Sequence, residues 1–143
     1  MKSYIIDANV LFGALISGKQ IYVEIFERHR FFAPDFINNE VAAYKTLILK
    51  KTKLEPIAFH DFINKLFQNL LIIPASNIME AHLQRAIELC KDIDPKDTMY
   101  VALALEMKLT LITRDVLLYE GLLKKDFTNV ILFDSFFKSF IEA

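Results

Sequence analysis

Asp7 ends the apolar run Tyr4-Ile5-Ile6, and Asp115 follows the run Leu111-Ile112-Thr113. Each run reads as a buried strand with an acid just past its carboxyl end, the edge of an open α/β sheet where ligands bind. The same two aspartates also suit a purely structural use, as N-caps of the helices that follow. Glu40 has no such use. On a helix that starts after Asp35, its expected N-cap, at ~100° per residue, Phe36, Ile37, Val41, Tyr44, Leu47 and Ile48 share a stripe, and Glu40 falls in its middle. A carboxylate on a buried stripe is costly unless paired, protonated or bound to metal. Asp97 repeats the pattern beside Val101, Ala104 and Leu105, on a helix from Met99 to Leu105 that is apolar nearly all round and therefore expected to be buried. Asp94 precedes Pro95 and reads as an N-cap followed by proline at the first helical position.

No lysine or arginine shares the stripes of Glu40 or Asp97. Clustered carboxylates raise one another's pKa, and a hard divalent cation held by oxygen ligands resolves the conflict. The donor set points to Mg²⁺ or Mn²⁺ rather than zinc, because cysteine and histidine are missing from it. His29, His60 and His82 lie elsewhere and are expected on helix surfaces, without a catalytic part. An acid-only metal site suits activation of a water and in-line hydrolysis of a phosphodiester, with no protein nucleophile. Two other readings compete. In a phosphotransfer domain a strand-end aspartate accepts the phosphoryl group, but no lysine follows a strand in the place such chemistry needs. In a non-catalytic module the acids bind metal and shape a binding surface only.

Strands and helices alternate along the chain. Strands are expected at Lys2–Ile6, Phe31–Ala33, Leu71–Ile73, Leu109–Thr113 and Asn129–Phe133. Helices are expected at Val10–Ile16, Ile21–His29, Asp35–Lys51, from Pro56 to about Leu70, from Ser76 or Asn77 through Leu89, Pro95–Lys108 and Asp115–Lys124, with a short helix at the tail. This alternation predicts a three-layer α/β/α fold with a mostly parallel central sheet, in one domain over residues 1–143. With 54% hydrophobic residues among 143, a packed core is expected, rich in phenylalanine given 13 Phe and no Trp. The longest apolar runs fall far short of the ~20 residues of a membrane span, and no secretory leader is expected, because the first residues show no n-region, h-region and cleavage pattern. The one cysteine, Cys90, excludes an internal disulfide and a Cys-x-x-Cys zinc site, so a cytoplasmic protein is expected. A net charge of −1 does not announce a polyanionic partner, although bound divalent metal adds positive charge outside that count.

Four stretches together carry a family resemblance: Ile6-Asp7-Ala8-Asn9-Val10-Leu11; Ala33-Pro34 with Glu40 on the next helix; Asp94-Pro95-Lys96-Asp97 opening the helix Tyr100-Val101-Ala102-Leu103-Ala104-Leu105; and Leu111-Ile112-Thr113-Arg114-Asp115. In order and spacing they resemble the PIN domain. The resemblance implies that Asp7, Glu40, Asp97 and Asp115 are the catalytic metal-binding acids, with Asn9 and Thr113 in supporting positions and Asp94 as an auxiliary ligand or cap. It also implies a Mg²⁺- or Mn²⁺-dependent ribonuclease that leaves a 3′-hydroxyl and a 5′-phosphate. A small PIN domain is similar to the VapC-like toxin of a toxin–antitoxin pair, which implies a homodimer held in check by a cognate antitoxin. Two features differ from the commonest toxin pattern: the Phe-rich helix between Lys53 and Leu71, and the Asp-Pro-Lys-Asp opening. Among basic residues, Arg114 is the expected phosphate contact because it adjoins Asp115. Lys45, Lys50, Lys51 and Lys53, and Arg28-His29-Arg30, are either further phosphate contacts or solvated helix ends. Phe59, Phe62 and Phe67 fall at helical spacing beside Ile63 and Leu66 and read as core or dimer interface.

Overall fold

The computed structural model describes residues 1–143. Its centre is a sheet of five strands: β1 (Ser3–Ile6), β2 (Arg30–Pro34), β3 (Leu70–Ile73), β4 (Thr110–Thr113) and β5 (Val130–Leu132). All pairings are parallel, in the order β3-β2-β1-β4-β5. The chain leaves β1 toward β2 and β3, then crosses to the other side of β1 for β4 and β5. The order therefore reverses between β1 and β4, and a crevice opens at their carboxyl ends.

Eight helices cover the sheet: α1 (Ala8–Ser17), α2 (Gln20–Arg28), α3 (Phe36–Lys51), α4 (Pro56–Gln68), α5 (Glu80–Cys90), α6 (Thr98–Met107), α7 (Val116–Lys124) and α8 (Phe133–Glu142). Right-handed crossovers put α1 to α4 on one face and α5 to α7 on the other. In agreement, α1 packs on α3 and α4, whereas α5 packs on α6 and α7. α8 returns beside α2, where Phe133 stacks on Tyr22 with ring centroids 6.0 Å apart. One continuous core joins the layers through residues such as Ile5, Leu11, Phe31, Leu66, Leu103 and Leu111. Phe59 and Phe62 of α4 are buried in it.

Local chemistry explains most element ends. Gly18 closes α1 in the left-handed region at φ 65°, and its N–H donates to the Ala14 carbonyl at 2.9 Å. Pro56 sits at the start of α4, as its missing N–H allows. Three expectations are corrected. Asp35 does not cap α3: its N–H is tied to the Ile73 carbonyl at 3.0 Å, its backbone is already helical, and its side chain makes no capping bond. Neither Ser76 nor Asn77 starts α5. Ala75–Asn77 is a 3-10 turn, and α5 begins at Glu80, capped from afar by Glu106, whose Oε1 accepts the Met79 N–H at 2.6 Å. The inward stripe of α3 is only partly inward. Ile37 and Ile48 are buried, but Tyr44 is 41% exposed and Leu47 45%, because α3 packs mainly on α1 and on β2 and is uncovered elsewhere.

Histidine placement also differs in part. His60 is exposed, and His82 pairs with Glu106 at 2.9 Å. His29, however, is half-buried in an aromatic nest, with Tyr4, Phe136 and Phe140 all within 6 Å of it by ring centroid.

A Cβ at Gly18 would meet the Leu54 side chain at 2.5 Å in a backbone conformation that disfavours L residues. Gly18→Ala is expected to destabilise the fold by about 1–2 kcal/mol, read as a lower urea midpoint with an unchanged slope.

Candidate acidic active site

The crevice between β1 and β4 is where the acids gather. Asp7 follows β1 directly and N-caps α1: its Oδ1 accepts the Val10 N–H at 3.1 Å. The register pairs Ile6 with Ile112, which brings Thr113 alongside Asp7. The Thr113 hydroxyl donates to Asp7 Oδ2, and Thr113 Oγ1 accepts the Asp115 N–H at 3.0 Å. One buried hydroxyl thus spends its proton on one strand-end acid and a lone pair on the backbone of the other. Asp115 caps α7 through the Leu118 N–H at 3.1 Å. The capping and the functional readings of Asp7 and Asp115 are compatible, since each carboxylate keeps lone pairs that its cap does not use.

Glu40 and Asp97 approach from opposite layers. Glu40, on α3, accepts a hydrogen bond from the Tyr100 hydroxyl of α6. Tyr100 is 1% exposed, and its hydroxyl pKa is raised by burial and by the Glu40 bond. Asp97 ends the 3-10 turn Pro95–Asp97 and leads into α6. Its Oδ2 is buried and has no hydrogen-bond partner. Asp94 acts as a cap, its Oδ1 accepting the Lys96 N–H at 3.0 Å. Tyr100 is the residue that sequence reading passed over. Its hydroxyl lies three residues past Asp97 within the apolar stretch Met99–Leu105, and no local pattern in the sequence links it to Glu40.

The other two expected positions are less engaged. Asn9 is exposed in the first turn of α1 and supplies neither of the hydrogen bonds that hold Asp7. Arg114 runs along Gly13, where a Cβ would lie 1.8 Å from a guanidinium nitrogen, and its guanidinium covers the Phe133 ring at 5.2 Å. Gly13 therefore makes room for Arg114, and the stack holds a cation near Asp115 without neutralising it.

The electrostatics follow from this packing. Asp7 is 1% exposed, and burial pushes its carboxyl up to about 6 against the lowering effect of its bonds from Thr113 and Val10, with Asp115 and Glu40 adding repulsion. Burial also pushes Asp97 up to about 7, helped by the charges of Asp7, Asp94, Asp115 and Glu40. The ion pairs of the chain are Lys65–Asp61, His82–Glu106, Lys91–Glu88 and Lys125–Asp92, and none involves these acids.

As they stand, no three acid, histidine or cysteine side chains converge closely enough to chelate one ion. The donor set nevertheless fits a hard divalent cation. It is all oxygen, it has no cationic side chain for a partner, and one of its oxygens, Asp97 Oδ2, is buried and unsatisfied.

A carboxyl whose folded-state pKa lies above its unfolded value holds its proton more tightly when folded. In the metal-free protein these two carboxyls therefore contribute stability that is fully present below about pH 4 and is lost as pH rises to about 6–7, the values of Asp7 and Asp97. For buried Asp7 the loss is on the order of 3 kcal/mol. Urea midpoints across that range check the sign. Asp97→Asn is expected to flatten the slope and to stabilise the metal-free protein at neutral pH.

No curated protein matches the chain. A family model of the PIN domain matches residues 5–133, from within β1 to beyond β5, and includes every acid of the crevice. The chain belongs to the PIN domain family.

Proposed function

We propose that this protein is a divalent-metal-dependent endoribonuclease, with Asp7, Glu40, Asp97 and Asp115 as its metal-binding catalytic acids and RNA as its substrate. PIN domains are generally metal-dependent nucleases. The observation that carries the reading for this chain is the unsatisfied Asp97 Oδ2 among carboxylates that no lysine or arginine neutralises. An acid cluster kept for folding alone would be expected to carry its counter-charge within the protein.

A bound Mg²⁺ or Mn²⁺ would lower the pKa of a water, so that hydroxide is available at neutral pH, and would supply positive charge to offset that of the phosphodiester. The side chains of the chain do the rest. Asp7 is fixed through both oxygens, by Thr113 and Val10, so its remaining lone pairs point in set directions. Glu40 is oriented by Tyr100 across the crevice. Asp115 is fixed by its cap, and Asp97 offers an oxygen with nothing else to bind. Asp94 supports this arrangement as the cap that sets the turn before Asp97. Arg114, stacked on Phe133 and unpaired, is the phosphate contact in this reading. Cleavage on this scheme leaves a 3′-hydroxyl and a 5′-phosphate.

The biological setting we propose is that of a VapC-like toxin: a cytoplasmic homodimer restrained by a cognate antitoxin protein. This part rests on the sequence resemblance alone.

With a mixed pool of single-stranded and structured RNA, cleavage is expected with Mg²⁺ or Mn²⁺, none with EDTA, and none by Asp7→Ala in any metal. Equal cutting by wild type and Asp7→Ala would refute the assignment. Tyr100→Phe keeps the ring and removes only the bond to Glu40, so kcat is expected to fall by about 10- to 100-fold with little change in melting temperature.

A further inference from the structure

Beside Glu40, a groove of about 300 Å³ runs between α3 and the 3-10 turn that carries the acids. Its α3 wall is Phe36, Asn39, Glu40, Ala43 and Tyr44, residues spaced three and four apart and so on one helix face; Lys96 stands across from them. Glu40 belongs both to this groove and to the acid cluster, and Lys96 directly precedes Asp97. Whatever fills the groove lies next to the reacting centre.

Its chemistry is that of a base-binding site. The Tyr44 side chain is 41% exposed although aromatic, and its ring is held from behind by Phe12, with centroids 5.4 Å apart. Phe36 is braced edge-to-face on Tyr100 at 6.3 Å. Both rings are thus anchored on surfaces outside the groove while they line it. Ala43, between them along the helix, leaves space that a larger side chain would fill. Asn39 brings an amide able to donate and accept, as the edge of a base requires. Lys96 takes part in no ion pair of the chain and supplies the charge that a phosphate needs. A volume of about 300 Å³ is at the lower end for ligand sites and admits one nucleoside rather than a helix.

We propose that this groove seats one unpaired nucleobase adjacent to the phosphate that is cut, stacked on Tyr44, with Asn39 at its edge and Lys96 on its phosphate. The proposal rests on the nuclease reading and deepens it. A paired base has both faces covered by its neighbours, so it must leave the stack before it lies on a tyrosine. The groove then selects RNA with an unpaired nucleotide at the cut. Asn39 is the residue expected to prefer one base over another.

The test uses two readouts on the full chain. In the Asp7→Asn background with Mn²⁺, single-stranded RNAs carrying 2-aminopurine at successive positions report stacking as fluorescence quenching. Quenching is expected, lost with Tyr44→Ala or Ala43→Leu, and restored with Tyr44→Phe. With Asp7 intact, Tyr44→Ala is expected to lower kcat/KM for unpaired RNA by about 5- to 100-fold, the range for losing one base–aromatic stack. Its Mn²⁺-induced shift in melting temperature should stay at the wild-type value. Cleavage by Tyr44→Ala at the wild-type rate, or quenching that ignores Tyr44 and Ala43, overturns the groove and leaves the nuclease standing. Tyr44-dependent quenching in a protein that cuts no RNA supports the groove as a base site and removes the nuclease reading instead. Absence of any quenching overturns the proposal.

Discussion

Like charge held in a place that water hardly reaches is the constraint on which this structure turns. Asp7 lies at the end of the central strand under α1, and Asp97 opens a helix whose central residues, Tyr100 to Ala104, are buried. Neither acid forms an ion pair. Burial alone raises the cost of ionising them, and their mutual repulsion adds to it. A fold selected only for stability would replace such groups or pair them. Here the surrounding structure is instead arranged to hold them.

The arrangement comes from strand order and register. Because the chain reverses direction across β1, the carboxyl ends of β1 and β4 lie side by side with no helix between them. The pairing of Ile6 with Ile112 then sets Thr113 against Asp7, and the Thr113 hydroxyl links both strand ends. Helices from the two layers close over this point. α3 delivers Glu40 from one side, α6 delivers Asp97 from the other, and the Tyr100–Glu40 bond joins the layers across the crevice. The capping bonds of Asp7 and Asp115 do double service, since they fix each carboxylate as well as the helix start.

Much of this was legible in the sequence. The alternation of strands and helices fixed the layers, and acids directly after apolar runs located the sheet edge. Glu40 and Asp97 were conspicuous because each broke an apolar helix face with a carboxylate. What escaped was long-range. The bond from Tyr100 to Glu40 spans two helices with no local signature. The start of α5 depends on Glu106, which lies on α6 and far along the chain. The exposure of Tyr44 could not be read from periodicity, because periodicity says which residues share a face and not whether another element covers it. That same uncovered face borders the groove beside Glu40.

The most direct measurement of the central claim is calorimetric titration of the metal-free protein with Mn²⁺, in buffers of differing ionisation enthalpy, from acidic to neutral pH. If buried Asp7 and half-buried Asp97 hold protons because they lie close together away from water, metal binding must displace those protons. The account predicts proton release that is largest below about pH 6, where both carboxyls still hold their protons, falls as pH rises through about 6–7, and shrinks in Asp97→Asn. Binding without proton release across that range, or no binding by a folded protein, would contradict it.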